Sequence, residues 1–401
     1  MNVPKRVIIT GASGFFGRQI VPRLVSVGFD LLLVDQNPDK LSELFPHVKN
    51  CSYASIAADG RGFELLLHLA VLHNNALSEA DEFRRVNVDL LEKTLTAAKK
   101  AGVPRFVNIT TFHALDYHGS DYARSKRAAL DILNAEKNFE ITNIFLPAVY
   151  GDKFAGKLAA AKKAPAFLRP AVLTFLKALL PTVHVDELVR VLSDELGARP
   201  QSIFLANSQD KNIIYKIGKR LIDVLFSLSV ILFAGWALAI VWVLVRLGSP
   251  GPGIFSQERV GQNGRTFTCY KFRTMKTGTK QAGTHEMTAD AITGIGAFLR
   301  KTKIDELPQV LNILRGELSL VGPRPGLPVQ TKLTEERQAH GVFSVLPGIT
   351  GLAQINGVDM SDPERLAELD AQYIAQRGLL LDLKIILATF LGRGQGDKVR
   401  T

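Results

Sequence analysis

Residues 224–245, VLFSLSVILFAGWALAIVWVLV, run for 22 positions without a charged side chain. No other feature restricts the chain as much. As a helix the stretch is about 33 Å long, enough to cross a hydrocarbon core of about 30 Å. A helix buried in a soluble core is rarely so long and so uniformly apolar, so the segment is read as membrane-inserted. Lys216, Lys219 and Arg220 precede it and Arg246 follows it, so positive charge does not single out one end. Ala234–Gly235 lies near its middle, and glycine weakens a helix locally. The expectation is a bent, re-entrant helix whose ends both return to the cytoplasmic face. The segment divides the chain into a domain at 1–210, a linker and membrane helix at 211–250, and a domain at 251–401.

Charge sorts these parts. The chain carries a formal +11; residues 1–210 have 25 Lys+Arg against 22 Asp+Glu, and residues 211–401 have 24 against 16. The second half therefore faces the anionic partner, a phosphorylated substrate or a phospholipid surface. Nucleic acid has no support beyond charge. Cys51 and Cys269 stand far apart and form neither a disulfide framework nor a zinc-ligand pattern, which fits a reducing compartment. The N-terminus, MNVPKRVIIT, has no signal-peptide h-region, so the first domain is expected in the cytoplasm.

From Arg6, RVIITGASGFFGRQIVPRLVSVGFDLLLVDQ reads as strand, glycine turn, helix, strand. This predicts an α/β, Rossmann-type doubly wound parallel sheet. Gly11, Gly14 and Gly17 follow the first strand, where glycines let the backbone approach a pyrophosphate at a helix N-terminus. A merely tight turn is the other reading. Asp35 ends the second strand, placed to hold adenosine ribose hydroxyls. An acid there repels a 2′-phosphate, so NAD(H) is favoured slightly over NADP(H). Further on, DYARSKRAAL places Tyr122 and Lys126 at i, i+4 on one helical face. A lysine beside a tyrosine hydroxyl lowers its pKa and suits it to acid/base work. A surface pair is the plainer alternative. Thr110 and Thr111 end the preceding strand and could polarise a carbonyl.

In the last part, KIDELPQVLN at 303–312 sets Asp305 beside Glu306 just ahead of Pro308. On this stretch alone helix capping explains Asp305, with Pro308 in the first turn. The neighbourhood argues for chemistry. Gln257, Arg259, Lys271, Arg273 and Arg324 form a candidate phosphate-binding set, with Arg265 and Lys276 read as a solvated basic face. Pro323 and Pro325 fix Arg324 between two φ-locked residues, a rigid presentation of a guanidinium to phosphate. A diphosphate substrate brings Mg²⁺, which Asp305 and Glu306 could bind; one of the two could attack phosphorus.

Two resemblances follow. Residues 5–208 resemble the extended or atypical short-chain dehydrogenase/reductases that act on nucleotide sugars, through the glycine triplet, Tyr-x-x-x-Lys and the segments LPAVYGD and VHVDEL. The resemblance implies Tyr122 as general acid/base, Lys126 on the nicotinamide ribose, and Thr111 (or Thr110) positioning substrate. From KRLID at 219–223 to LDLKI at 381–385, the chain resembles the monotopic bacterial phosphoglycosyl transferases, on YKFRTM, DELPQ, SLVGPRP and PGITG in order. That family usually breaks its membrane helix with Ser-Pro, where Ala234–Gly235 stands here. The resemblance implies a small, mainly α-helical membrane-associated domain at the bacterial inner membrane, facing the cytoplasm. It also implies that Asp305 attacks the β-phosphate of a UDP-sugar, releasing UMP, and that polyprenyl phosphate then takes the phosphosugar. Glu306 would assist the metal or proton traffic and Arg324 would hold phosphate. Fusion of the two domains suggests consecutive steps on one sugar, most plausibly reduction of a 4-keto-6-deoxy-HexNAc and its loading onto lipid. A non-catalytic dinucleotide sensor or scaffold, or a membrane adaptor for polymer assembly, are the competing expectations. Homo-oligomerisation is left open.

Overall fold

The computed structural model describes residues 6–72, 79–115, 120–137, 139–152, 156–194, 201–279 and 291–394. They fall into two compact units, one of Met1–Leu173 with Pro181–Asn207, the other of Thr174–Leu180 with Ser208–Thr401.

The first unit is built on strands β1 (Arg6–Thr10), β2 (Asp30–Asp35), β3 (Lys49–Ser52), β4 (Leu65–His68), β5 (Arg105–Thr111) and β6 (Glu140–Leu146). Two short strands, β7 (Ala148–Tyr150) and β8 (Thr182–His184), pair with each other, and β9 (Gln201–Phe204) closes the main sheet. That sheet has the order β3-β2-β1-β4-β5-β6-β9, with every neighbouring pair parallel. Parallel strands covered on both faces need side chains that are apolar in succession, and all four residues of β4 are buried. Helix α1 (Gly17–Ser26) presses Ile20, Val21 and Leu24 onto one face, against Val7, Ile9, Leu31 and Leu33. Helices α2 (Leu90–Ala101) and α3 (Asp121–Ala135) cover the other with Leu91, Leu95, Ala129 and Leu133, against Ile8, Leu66 and Phe106. Strand order reverses between β1 and β4, which opens a crevice at their carboxyl ends, where ligands bind in sheets of this topology. The expected doubly wound parallel sheet is therefore present.

In the second unit one helix runs from Ile213 to Gly248, 36 residues with a mean hydropathy of 2.6 over its most apolar window. It comprises α4 (Ile213–Ser229), a π-turn at Val230–Ala234 and α5 (Gly235–Gly248). The irregularity expected at Ala234–Gly235 takes the form of that π-turn, a common cause of kinks. Leu232, Phe233 and Trp236 around it are 74%, 73% and 70% exposed. Both ends of the helix are tied to the rest of the unit. On α4, Lys219 pairs with Asp382, Arg220 donates to the Ile313 and Leu314 carbonyls, and Asp223 accepts from Ser319 Oγ and Leu320 N. At the far end Arg273 donates to the carbonyls of Ser249 and Pro250, each at 2.7 Å, and of Val245 at 3.3 Å. This corrects the expectation for Arg273. Its buried guanidinium satisfies carbonyls at and beyond the helix C-terminus, which have no intrahelical partner, and so is not turned toward the carboxylate pair.

An antiparallel hairpin, β10 (Ile254–Val260) with β11 (Thr266–Phe272), and a parallel pair, β12 (Ser319–Val321) with β13 (Gly348–Thr350), frame the rest of this unit. Helices α6 (Val310–Arg315) and α7 (Leu379–Phe390) pack Ile313 and Ile385 with Leu318, Leu320 and Tyr373 into its core.

Candidate functional site

Between Lys303 and α6 the chain forms a 3₁₀ turn, Ile304–Gln309, that carries Asp305 and Glu306. Lys303 precedes it in the left-handed region (φ 59°), and no side chain caps the turn. Asp305 therefore sits inside the turn as its second residue and does not cap it, and Pro308 lies within the turn, not at the start of α6. That corrects the capping reading of the isolated stretch.

The two carboxylates have opposite environments. Glu306 Oε1 accepts from Lys271 Nζ at 2.8 Å, on β11, and from Arg324 Nη2 at 2.7 Å, in the loop after β12. Burial alone would push its carboxyl up, but Arg324 and Lys271 hold it well below the usual range. The Asp305 carboxylate accepts no hydrogen bond among the described residues. Burial first, and then the neighbouring Glu306, push it up to about 6, against Lys271, Arg300 and Arg324. A recess beside the pair is lined by Arg259, Cys269, Lys271, Gln309, Arg324, Pro325 and Gly348. Gln257 enters through Arg259, whose guanidinium donates to Gln257 Oε1 at 2.7 Å and to the Pro325 carbonyl at 3.0 Å. Lys271, Arg324, Arg259 and Gln257 thus gather around one cationic recess.

The loop that presents Arg324 is held by backbone packing. Gly322 N donates to Thr350 O and Gly348 N to Pro323 O, both at 2.8 Å. A Cβ on Gly322 would stand 2.5 Å from the Leu346 carbonyl oxygen, and Cβ atoms on Gly348 and Gly351 would collide with Gly322. The glycines of SLVGPRP and PGITG are thus explained by one contact between their main chains. Sequence reading missed Gln309 and Cys269 as lining residues. It also missed a buried cluster behind this loop, in which Lys219 Nζ donates to the Val321 carbonyl and to Asp382, and the Tyr373 hydroxyl donates to Asp382 at 2.8 Å. Lys219 lies in KRLID and Asp382 in LDLKI, but no spacing in the sequence connects them.

No group of three or more His, Cys, Asp or Glu able to hold a metal occurs among the described residues. With Glu306 Oε1 occupied by two cations, Asp305 and the second oxygen of Glu306 remain as hard donors. One or two carboxylates with substrate phosphates completing the shell is a set that fits Mg²⁺.

In the first unit, Gly11 directly follows β1 with φ +70°, and a Cβ on it would lie 2.7 Å from Ala70 Cα. Gly17 packs on the Ala12 backbone with no room for a side chain. Tight packing therefore accounts for these two glycines. Gly14 differs, because it is exposed and a Cβ there would meet only the Gly11 carbonyl, at 3.2 Å. Its open backbone just ahead of α1, with Asp35 at the end of β2, fits a pyrophosphate and ribose.

Tyr122 and Lys126 lie on α3, 8% and 5% exposed. They are not the surface pair of the plainer reading. Burial pushes the Tyr122 phenol up to about 12 and lowers Lys126 to about 7. The depressed tyrosine pKa expected from the sequence is absent, because burial disfavours the phenolate. Thr111 Oγ1 accepts from His113 N at 3.5 Å, whereas buried Thr110 Oγ1 has no hydrogen-bond partner among the described residues. Asn87, missed in the sequence, donates to Ser125 Oγ at 3.0 Å and accepts from Leu72 N at 2.9 Å, bracing α3.

Comparison with known proteins finds a family match in each half. Residues 7–193 match the NAD dependent epimerase/dehydratase family and residues 214–394 match the bacterial sugar transferase family. The uncharacterized sugar transferase EpsL of Bacillus subtilis is 42% identical over 171 residues, 43% of this chain and 84% of that protein. The exopolysaccharide production protein PSS of Rhizobium leguminosarum is 38% identical over 195 residues, 44% of this chain and 97% of that protein. The UDP-glucose:undecaprenyl-phosphate glucose-1-phosphate transferase of Xanthomonas campestris is 34% identical over 223 residues, 53% of this chain but 46% of its own length. With most of two such relatives covered at this identity, the chain belongs to the bacterial sugar transferase family.

Proposed function

We propose that this protein transfers a sugar 1-phosphate from a UDP-sugar to polyprenyl phosphate, with Asp305 as the nucleophile. One observation carries the reading: a half-buried carboxylate, without a hydrogen bond among the described residues, stands beside a second one clamped by Lys271 and Arg324, next to a cationic recess. An Asp305 oxygen forms a bond to the β-phosphorus while the bond from that phosphorus to the oxygen bridging to UMP breaks. An oxygen of polyprenyl phosphate then attacks the same phosphorus, freeing Asp305 and leaving a polyprenyl diphosphate sugar. Arg324 and Lys271, oriented by Glu306, hold phosphate oxygens, and Arg259 with Gln257 extends the recess. Mg²⁺ bound by Asp305 and Glu306 would neutralise diphosphate charge. The test is UMP release by the full-length protein in detergent with Mg²⁺, undecaprenyl phosphate and a panel of UDP-sugars that includes 4-keto forms. UMP release with one of these sugars is expected; none across a broad panel would sink the reading in favour of a membrane adaptor.

The same reading places the long helix in the membrane without crossing it, at the bacterial inner membrane with both units on the cytoplasmic side. Its N-terminal turns and its C-terminal end bind one folded unit, and the exposed apolar middle carries the π-turn. A crossing helix would need that unit on both sides of the bilayer. Cysteines replacing exposed Lys211 and Arg265, on either side of the helix, are expected to label from the same, cytoplasmic face of sealed vesicles. Labelling from opposite faces would show a crossing helix.

For the first unit we propose NAD(H) binding at Gly11, Gly14, Gly17 and Asp35, and reduction of a 4-keto-6-deoxy-HexNAc before or after its transfer to lipid. Bound NADH would supply the hydride. Tyr122 would give the proton to the nascent alkoxide, Lys126 would contact the nicotinamide ribose, and the Thr111 or Thr110 hydroxyl would bond the carbonyl. Tyr122→Phe is expected to cut NADH oxidation by about 10²–10⁴-fold, the usual contribution of a general acid, with NADH affinity unchanged. Tight NADH binding and no effect of this change would favour the sensor or scaffold.

A further inference from the structure

Between Lys153 and Pro181 the first half of the chain carries Lys153, Lys157, Lys162, Lys163, Arg169 and Lys177 and not one Asp or Glu. In a half of nearly balanced charge, this is a local and one-signed field. Within it a 3₁₀ run, Gly156–Lys163, leads into a helix over Arg169–Leu179. At the junction Pro165, Ala166, Phe167 and Leu168 are all exposed, Phe167 at 81% and Leu168 at 43%, with exposed Lys162, Lys163 and Arg169 on either side. Apolar residues scattered singly on a surface need no explanation, but four in succession do. Turns link Leu168 N to Pro165 O at 2.9 Å and Arg169 Nε to Ala164 O at 3.1 Å, so the tip is a formed turn.

We propose that this tip is a second membrane contact, made by the first unit itself, and that its partner is an anionic phospholipid surface. The chemistry on both sides matches. Phe167 and Leu168 can enter the headgroup boundary while the flanking cations meet lipid phosphates, the pattern of interfacial basic amphipathic segments. A protein partner would more often offer carboxylates to such cations, and a free nucleotide would leave the Phe167 ring in water. The inference rests on the reading that the helix Ile213–Gly248 enters the bilayer, which puts lipid within reach of the chain.

The test uses the full chain in nanodiscs with a nitroxide at Phe167→Cys; the native Cys51 and Cys269 are buried. A label at Leu232→Cys reports insertion of the long helix, and one at exposed Val27→Cys, in the first unit, reports a surface in water. In discs with about a third phosphatidylglycerol, the Phe167 label is expected to collide at least about threefold less with a water-soluble nickel chelate than the Val27 label. Protection should be lost in the Lys162→Glu/Lys163→Glu variant, since each basic residue near such a surface favours it by about fivefold. It should also weaken at high salt. A Phe167 label as accessible as the Val27 label, with the Leu232 label in lipid, overturns this inference alone. A Leu232 label in water overturns the membrane reading beneath it. Protection that survives both glutamates, or dipolar broadening between labels, would identify a protein partner or a second copy of the chain and would also overturn it.

Discussion

Asp305→Asn is expected to lower UMP release by at least about 10³-fold, because a carboxamide cannot form the bond to phosphorus. The same change is expected to raise, not lower, thermal stability at pH 8. Burial and Glu306 push the Asp305 carboxyl up to about 6 from its ordinary value of 3.8. A folded-state value above the unfolded one means that the native protein holds the proton more tightly, so ionised Asp305 opposes folding above pH 6. That cost is at most about 3 kcal/mol, at about 1.4 kcal/mol for each pH unit. It fades as pH falls through this window and vanishes below about 4, where the carboxyl is protonated in both states. Asparagine removes it, so the variant's gain in midpoint at pH 8 should disappear near pH 4. Activity runs the other way. The attacking group is the anion, so kcat/KM of the native protein should fall about tenfold per pH unit below about 6. Thermal unfolding and UMP release over pH 4–8 check both signs. An inactive but less stable variant would mean that Asp305 supports the fold, and an active one would remove it as nucleophile.

Lys219→Met is expected to destabilise the second unit by about 3–5 kcal/mol, the cost of stranding one member of a buried ion pair. Lys219 Nζ lies 2.9 Å from Asp382 Oδ2, whose side chain is 2% exposed, and 2.9 Å from the Val321 carbonyl. After the substitution Asp382 keeps, among the described residues, the Tyr373 hydroxyl, at 2.8 Å, and that of Tyr215, at 3.4 Å. Val321 immediately precedes the Gly322–Pro325 loop that presents Arg324, so the loss should also raise KM for the UDP-sugar. Lys219→Met/Asp382→Leu removes both charges and is expected to recover most of the stability, since apolar replacement of a buried pair is often near neutral. Hydrogen exchange over 310–325 and 370–390 in the full chain would localise the effect. Equal exchange in native and single-variant protein would show that the pair contributes nothing there.

The elements that answer to local chemistry were legible in the residues alone. An uncharged stretch of 22 residues becomes an exposed apolar helix whatever surrounds it, and apolar runs alternating with amphipathic segments become a parallel sheet with helices on both faces. The glycines after β1 and the Asp305–Glu306 pair are short-range patterns and could be found in the same way. Tertiary structure decided what each charged side chain meets. Lys271 and Arg273 are two residues apart, yet Lys271 reaches Glu306 while Arg273, one residue beyond the end of β11, binds carbonyls at the end of the long apolar helix. Strand alternation no longer governs a side chain past the strand's end, so nothing in YKFRTM separates the two. Tyr122 follows the same rule. Its spacing to Lys126 is local, but its pKa is set by burial, which depends on everything packed around α3. The Lys219–Asp382–Tyr373 cluster joins segments more than 150 positions apart. Periodicity and spacing describe neighbours along the chain, whereas desolvation and ion pairing depend on neighbours in space, which only the folded chain brings together.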